Sequence, residues 1–294
     1  MYKRMTAAAL AALTAAALAV APGAGATAPG SARTQPDACG DAGRAPYIEV
    51  VGLTADQRLI CFRADRPGRA RDIGTVSGLQ MDTKLVGIDA RPANGAYYGL
   101  GDQGGVYTLD TSTAQATLVS RSTEALRGTS FGVDFNPAAD RMRVISDAGQ
   151  NLRINVDTGA SSPPDATLAY TAGTTATGVV AAAYTNNDKV VETATTLFDV
   201  DSSLDQVAVQ SPPNNGSLVA TGKLGVDAGP DVTADIYSRT RNGATQDNTG
   251  FAAIGGPSGT TFYGLDVITG RVAKIGNFSS RNAVVGIAVP IDQR

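Results

Sequence analysis

The stretch FGVDFNPAADRMRVISDAGQNLRINVDTGA, residues 131–160, carries two alternating patterns joined by a glycine turn. Side chains alternate across a strand, so Met142 and Val144 share one face and Arg141, Arg143 and Ile145 the other. On the return, Leu152, Ile154 and Val156 share a face, and Asn151, Arg153, Asn155 and Asp157 share its opposite. The apolar faces coincide only if the loop around Ala148, Gly149 and Gln150 has three or five residues, with Gly149 at positive φ. The stretch therefore reads as a hairpin with one apolar face and one Arg/Asn face. Arg141, Arg143, Asn151, Arg153, Asn155 and Asp157 are expected to form a structural polar ladder. Asp134, Asp140 and Asp157 are the local acids available to its arginines. An anion or sugar-acid site is the alternative use of such a face.

Outward from the hairpin, its opening motif recurs. LVGIDARP starts at Leu85, SFGVDFNP at Ser130, GVVAAAYTN at Gly178 and VTADIYS at Val232. A second marker, an apolar residue and Asp before a turn, recurs at Asp110, Asp157, Asp201 and Asp266. Each unit reads as strand, strand, strand, Asp and turn, strand, which is the size of a propeller blade. VVGIAVP (284–290) is a first strand with no blade after it, and residues 47–76 are three strands with no first strand before them. Joined, they complete a fifth blade. The expected fold is all-β: a five-bladed β-propeller of four-stranded antiparallel blades, at 84–120, 131–162, 178–224, 232–280 and the composite 284–290 with 47–76. The C-terminal strand closes the ring, which removes exposed sheet edges.

The remaining segments are read by composition. Lys3 and Arg4, an Ala-rich apolar run and the small residues AGATA give the three-part pattern of a signal peptide at 1–26, cleaved after Ala26. A lasting membrane anchor is the alternative, but the run is short and alanine is a weak membrane residue. Residues 27–46 read as a flexible leader, 47–290 as one propeller domain and 291–294 as a tail. The expected location is secreted, with no membrane insertion after cleavage. Removing Lys3 and Arg4 without any acid takes the net charge from −3 to −5. That acidity gives no footprint for nucleic acid.

Cys39 and Cys61 are the only cysteines. In an oxidising compartment they are expected to pair, closing a loop worth ~3 kcal/mol; the alternative is two buried thiols. The chain has no His and no Trp. Ser-His-Asp and Cys-His catalysis and His-ligated metals are thereby excluded.

Aligning the first strands puts Asp89, Asp134 and Asp235 in one column, with Ala183 and Ala288 filling it in the other two blades. First strands line a propeller's axis, so these three carboxylates form the candidate ligand site. Pairing with the arginines is the structural alternative. No cofactor and no metal site is expected, although a divalent cation such as calcium is compatible with three such oxygens. Two further groups, Asp199/Asp201/Asp205 and Asp227/Asp231/Asp235, lack calcium-loop spacing and read as solvated turns.

The pieces DFNPAADRMRVISDAGQNLRINVDTG, LVGIDARPANGAYYGLGDQGGVYTLD, AAAYTNND, TLFDVDSSLDQVAVQSPPNNGSLVATGKLG and FYGLDVITGRVAKIG together resemble the secreted bacterial family called domain of unknown function 4394. The resemblance covers nearly all of Tyr47 to Pro290. It implies a propeller-like, exported protein and brings no activity, substrate or functional residue. The blade count comes from the repeat alone.

The leading functional expectation is an exported, non-catalytic propeller that binds an extracellular ligand or protein on its axial face, as a monomer. The alternative is a carboxylate-dependent glycoside hydrolase or lyase, which would rely mainly on Asp because only Glu49, Glu124 and Glu192 supply glutamate. A purely structural envelope protein is the third reading.

Overall fold

Nineteen strands form among the described residues, wherever β-branched, aromatic and small residues run between Gly, Asn, Asp and Pro clusters. The computed structural model describes Cys39 and residues 47–161, 165–190 and 192–292. The expected signal peptide, the leader apart from Cys39, and residues 293–294 of the tail lie outside them.

The chain begins with β1 (Glu49–Thr54), β2 (Arg58–Arg63) and β3 (Arg71–Thr75). Blade one follows as β4 (Leu85–Ala90), β5 (Tyr97–Gly101), β6 (Gly105–Leu109) and β7 (Ala116–Arg121). Blade two is β8 (Phe131–Asn136), β9 (Arg141–Ser146) and β10 (Asn151–Ile154). Blade three is β11 (Val179–Tyr184), β12 (Leu197–Asp201), β13 (Gln206–Gln210) and β14 (Leu218–Lys223). Blade four is β15 (Val232–Arg241), β16 (Ala244–Gly256), β17 (Gly259–Leu265) and β18 (Val272–Asn277). The last strand, β19 (Val284–Ala288), joins β1, β2 and β3 to make the closing blade. Its register, Val51 opposite Ala288 and Leu53 opposite Gly286, is the expected union of the two chain ends.

The innermost strands β4, β8, β11, β15 and β19 pack side by side, and β19 returns against β4. The fold is thus a closed five-bladed β-propeller. Five apolar clusters fill the five gaps between neighbouring blades. Alternation divides each strand between two gaps: Val144 packs toward blade one and Ile145 toward blade three. The innermost strands approach closely at Gly132, where a Cβ would lie 2.7 Å from the backbone nitrogen of Ala182. Only glycine allows that contact.

The opening hairpin has the predicted register, with Leu152 opposite Val144, Arg153 opposite Arg143 and Gly149 at φ 76°. Two expectations are corrected. Among the described residues blade two has three strands rather than four: after β10 a single bridge, Ile154 to Ser161, stands in place of a fourth strand. The sequence there reads SSPP, and proline has no N–H to give a ladder. The Asp marker also mixes two turns. Asp110 and Asp266 cap the turn before the fourth strand, but Asp201 caps the turn between β12 and β13. In blade two the capping residue is Asn155, which accepts the N–H of Asp157. A side chain that bonds its own backbone two residues on suits any tight turn, so the marker does not say which turn it marks.

The disulfide between Cys39 and Cys61 is formed, with Cα atoms 5.7 Å apart. It fastens the segment before β1 to β2.

Candidate functional site

An innermost strand has one edge without a ladder partner, so its outward N–H groups need acceptors. Three aspartates meet that need for all five blades. Asp89 accepts Ala90 N–H at 2.6 Å and, across the blade boundary, Phe135 N–H at 2.7 Å. Asp235 accepts Ile236 N–H and, across the next boundary, Val289 N–H, both at 2.6 Å. Asp134 accepts Tyr184 N–H at 3.3 Å. These five amides each follow the column position in their strand. Where a blade has Ala183 or Ala288 in the column, the Asp of the following blade turns back and caps its own neighbour. The arginines take no part in this.

The three carboxylates converge, with one oxygen of each within 4.8 Å of the others. Asp89, Asp134 and Asp235 are 5%, 1% and 2% exposed. Burial, then mutual repulsion, pushes Asp89 and Asp134 well above the usual carboxylate range. Burial pushes Asp235 up to about 7, against the pull of its two amides. Oxygen ligands of this kind suit a hard cation such as calcium, which takes six to eight oxygens. Here five of the six carboxylate oxygens already accept amides, and only Asp134 Oδ2 accepts nothing from the described residues.

The polar face of the opening hairpin lies in the gap between blades two and three. Arg143 is 1% exposed and donates to Asn151 at 2.7 Å, Tyr184 Oη at 3.3 Å, Asn214 at 3.0 Å and Asp165. Arg153 grips the same Asp165 through Nε at 2.8 Å and a terminal nitrogen at 2.7 Å. Asn151 also donates to Ala166 and Pro213 carbonyls, both at 3.0 Å. Arg143, Asn151 and Arg153 therefore come together, whereas Arg141, Asn155 and Asp157 do not join them. Arg141 donates to the carbonyls of Ala139 and Asp140, and Asn155 caps its turn. None of the expected acids pairs with these arginines. Asp140 and Asp157 instead clamp Arg91 of blade one, at 2.6 and 2.9 Å. Sequence reasoning missed Asp165 and Arg91.

Three of the aspartates read as solvated turns are buried: Asp235 lies in the axial cluster described above, and Asp199 and Asp201 lie in blade three. Asp201, 1% exposed, caps its turn and accepts Tyr170 Oη at 3.0 Å. Asp199 is fully buried with neither oxygen hydrogen-bonded among the described residues. Burial raises its pKa, and the Arg143 charge opposes the rise.

The innermost strands begin on one face of the ring and end on the other, the exit face. On the entry face, Leu85, Phe131, Val180, Val232 and Val285 surround an axial cavity of about 240 Å³. The exit face is dominated by β15 and β16, ten and thirteen residues long, against four to seven for the other strands. Their hairpin turns at Asn242-Gly243, both at positive φ. That Asn-Gly pair is the strongest local hairpin signal and could have been read from the sequence. A groove of about 690 Å³ lies on its closing-blade side, and one of about 830 Å³ on its blade-three side.

Five inter-blade cores around a carboxylate-capped axis define a small propeller closed by its own chain ends. The chain belongs to the family described as Domain of unknown function (DUF4394), which matches residues 58–288. Among curated proteins, none matches. In fold the chain is similar to PorZ, a surface component of the type-IX secretion system of Porphyromonas gingivalis (TM-score 0.39, 16% identity, 80% of this chain and 28% of that one). It is also similar to TolB from Acinetobacter baumannii (0.41, 13%, 83% and 66%). A third is an auxiliary nutrient binding protein from Bacteroides ovatus (0.38, 14%, 76% and 57%). The chain spans less than two thirds of each of these proteins.

Proposed function

We propose that the protein is an exported, non-catalytic propeller that works as a monomer and binds an extracellular ligand on its exit face. The observation that carries this reading is the β15–β16 hairpin, whose length makes it the shared wall of two grooves. The Cys39–Cys61 bond supports export, since such bonds persist in oxidising compartments. The hydrolase alternative has less support. Retaining glycosidases hold their carboxyls ~5–5.5 Å apart and inverting ones ~6.5–9.5 Å apart, around an open cleft. The axial aspartates are buried and occupied by amides.

The test is to join Ser238 to Asn248, an opposed pair, through Asn-Gly in place of residues 239–247. A panel of soluble oligosaccharides and peptides is then titrated by calorimetry against both forms, with reducing ends assayed in parallel. Binding that needs the hairpin, without turnover, is the expected result. Turnover of any polysaccharide, or binding indifferent to the hairpin, overturns the reading.

A further inference from the structure

We infer that the groove between blade four and the closing blade binds a neutral oligosaccharide. This rests on the exit-face reading above and names the ligand class.

The floor is aromatic and backed by rigid packing. Tyr237 and Phe251 line it, and Phe251 stacks on Phe262 with centroids 5.4 Å apart. Phe62 meets Phe262 and Phe278 edge-on at 5.1 and 4.9 Å. Tyr47, 41% exposed, stands at the mouth with one ring face under the Arg63 guanidinium, 3.4 Å from its centroid. Aromatic rings suit the C–H faces of sugars, with a polar tip left for hydroxyls.

The two walls are ion pairs. Arg63 holds Asp65 through two bonds, at 2.9 and 2.7 Å, and Arg239 on the hairpin holds Asp247 across the strand pair. Among the groove-lining residues each wall is therefore one cation and one anion; outside the lining, Arg66 reaches Asp65 at 3.7 Å and Glu49, opposite Arg63 in the sheet, offsets that extra cation. In both walls the guanidinium hydrogens and carboxylate lone pairs outnumber the bonds made. A charged ligand meets attraction and repulsion together at both walls. A hydroxyl donates to the carboxylate and accepts from the guanidinium, so a neutral polyol satisfies both members of each pair. The volume of about 690 Å³ falls in the range of small-ligand pockets. A peptide adding as a strand needs a sheet edge. Here the hairpin presents a face, since Tyr237 and Arg239 lie opposite Thr249 and Asp247.

The experiment titrates the full exported chain with maltohexaose, cellohexaose and mannohexaose, against hexagalacturonic acid and an uncharged hexapeptide as competing classes. Expected is binding of at least one neutral hexasaccharide, weakened about five- to tenfold by Tyr47→Ala and by Arg239→Ala. Melting temperature should stay unchanged, because both side chains are substantially exposed. Arg271→Ala, in the blade-three groove, serves as the control and should leave binding intact. If none of the neutral sugars binds, the inference is overturned. It is equally overturned if only the acid or the peptide binds, or if binding ignores Tyr47 and Arg239 but falls with Arg271. In those last cases the hairpin-shortened form still decides the exit-face reading separately.

Discussion

Asp89 of blade one accepts the backbone N–H of Phe135 in blade two at 2.7 Å, while its other oxygen holds Ala90 N–H at 2.6 Å. One side chain thus satisfies two strand edges and ties two blades at the axis. Asparagine has one acceptor oxygen, so Asp89→Asn and Asp235→Asn must each leave a buried N–H facing an amide NH₂. Each should lose about 1–3 kcal/mol, the cost of an unsatisfied buried donor. Asp134 serves a single amide at 3.3 Å. Asp134→Asn keeps that bond, removes a like charge and adds a donor toward its two neighbours. It should leave stability unchanged or raise it. Urea unfolding of the three variants at pH 7 checks the order; an equal loss in all three would refute the amide-capping account.

The same cluster makes stability depend on pH in an unusual window. The chain has no histidine, so no side chain at its ordinary pKa titrates between pH 5 and 8. Asp235 rises from 3.8 to about 7 in the fold, so the native state keeps a proton that the unfolded chain has released. That contribution is full below about pH 4 and is lost as pH climbs to about 7. At about 1.4 kcal/mol per pH unit for one fully retained proton, and with half of it gone by pH 7, Asp235 alone should lower the unfolding free energy by about 2 kcal/mol from pH 5 to 7. Carboxylates lowered by their hydrogen bonds, such as Asp110 and Asp266, act in the opposite sense but only at lower pH. Urea titrations in EDTA at pH 5, 7 and 8 measure the slope, and the triple Asn variant should reduce it to the part that buried Asp199 contributes in the same sense. A flat wild-type profile would mean that the carboxylates are ionised in the fold. A slope abolished by added calcium would mean that an ion, not protons, balances them.

The contrast between these aspartates and the ring itself shows what a sequence of this kind reveals. Ring closure was legible because the two chain ends are complementary pieces of one repeat. The hairpin register was legible because alternation has period two. The convergence of Asp89, Asp134 and Asp235 followed from the same repeat, but their partners did not: backbone amides leave no mark in a sequence. Asp165 escaped because it follows SSPP, outside the hairpin whose arginines it joins. Arg91 escaped because its acids come from the next blade. The apolar alternation fixes which face a residue takes, and the distant partner on that face depends on how loops return.

Arg143 and Arg153 share Asp165 yet should differ in consequence. Arg143 is 1% exposed and has four partners, so Arg143→Ala strips Asp165, Asn151 and Asn214 of a buried donor. Asp165 keeps Arg153, so the loss comes from the acceptors left without a donor and from the vacated volume; about 2–4 kcal/mol is expected. The Arg153 side chain is 23% exposed, and Asp165 retains Arg143 when it is removed. Arg153→Ala should cost about 1 kcal/mol, nearer to a surface pair. Thermal and urea unfolding of the two variants compares them. Equal, small losses would mean that the gap between blades two and three is hydrated rather than sealed around Arg143.

The closing strand makes the sharpest demand on the fold. Val284, Ile287, Ala288 and Val289 are each no more than 2% exposed, and β19 covers the edge of β1 from Val51 to Thr54. The amide just past its end, on Val289, also occupies Asp235. A chain ending at Arg281 loses all of this at once: an apolar gap opens on both sides of β19, β1 becomes a bare edge, and Asp235 loses an acceptor role. Exposed edges pair with other chains. The truncated chain should therefore self-associate in size-exclusion chromatography and melt well below the full chain. A synthetic peptide of residues 282–294, added in excess, should restore the monomer by re-pairing with β1. A truncated chain that stays monomeric with an unchanged melting temperature would show that the ring does not need β19, and that closure by the two chain ends is wrong.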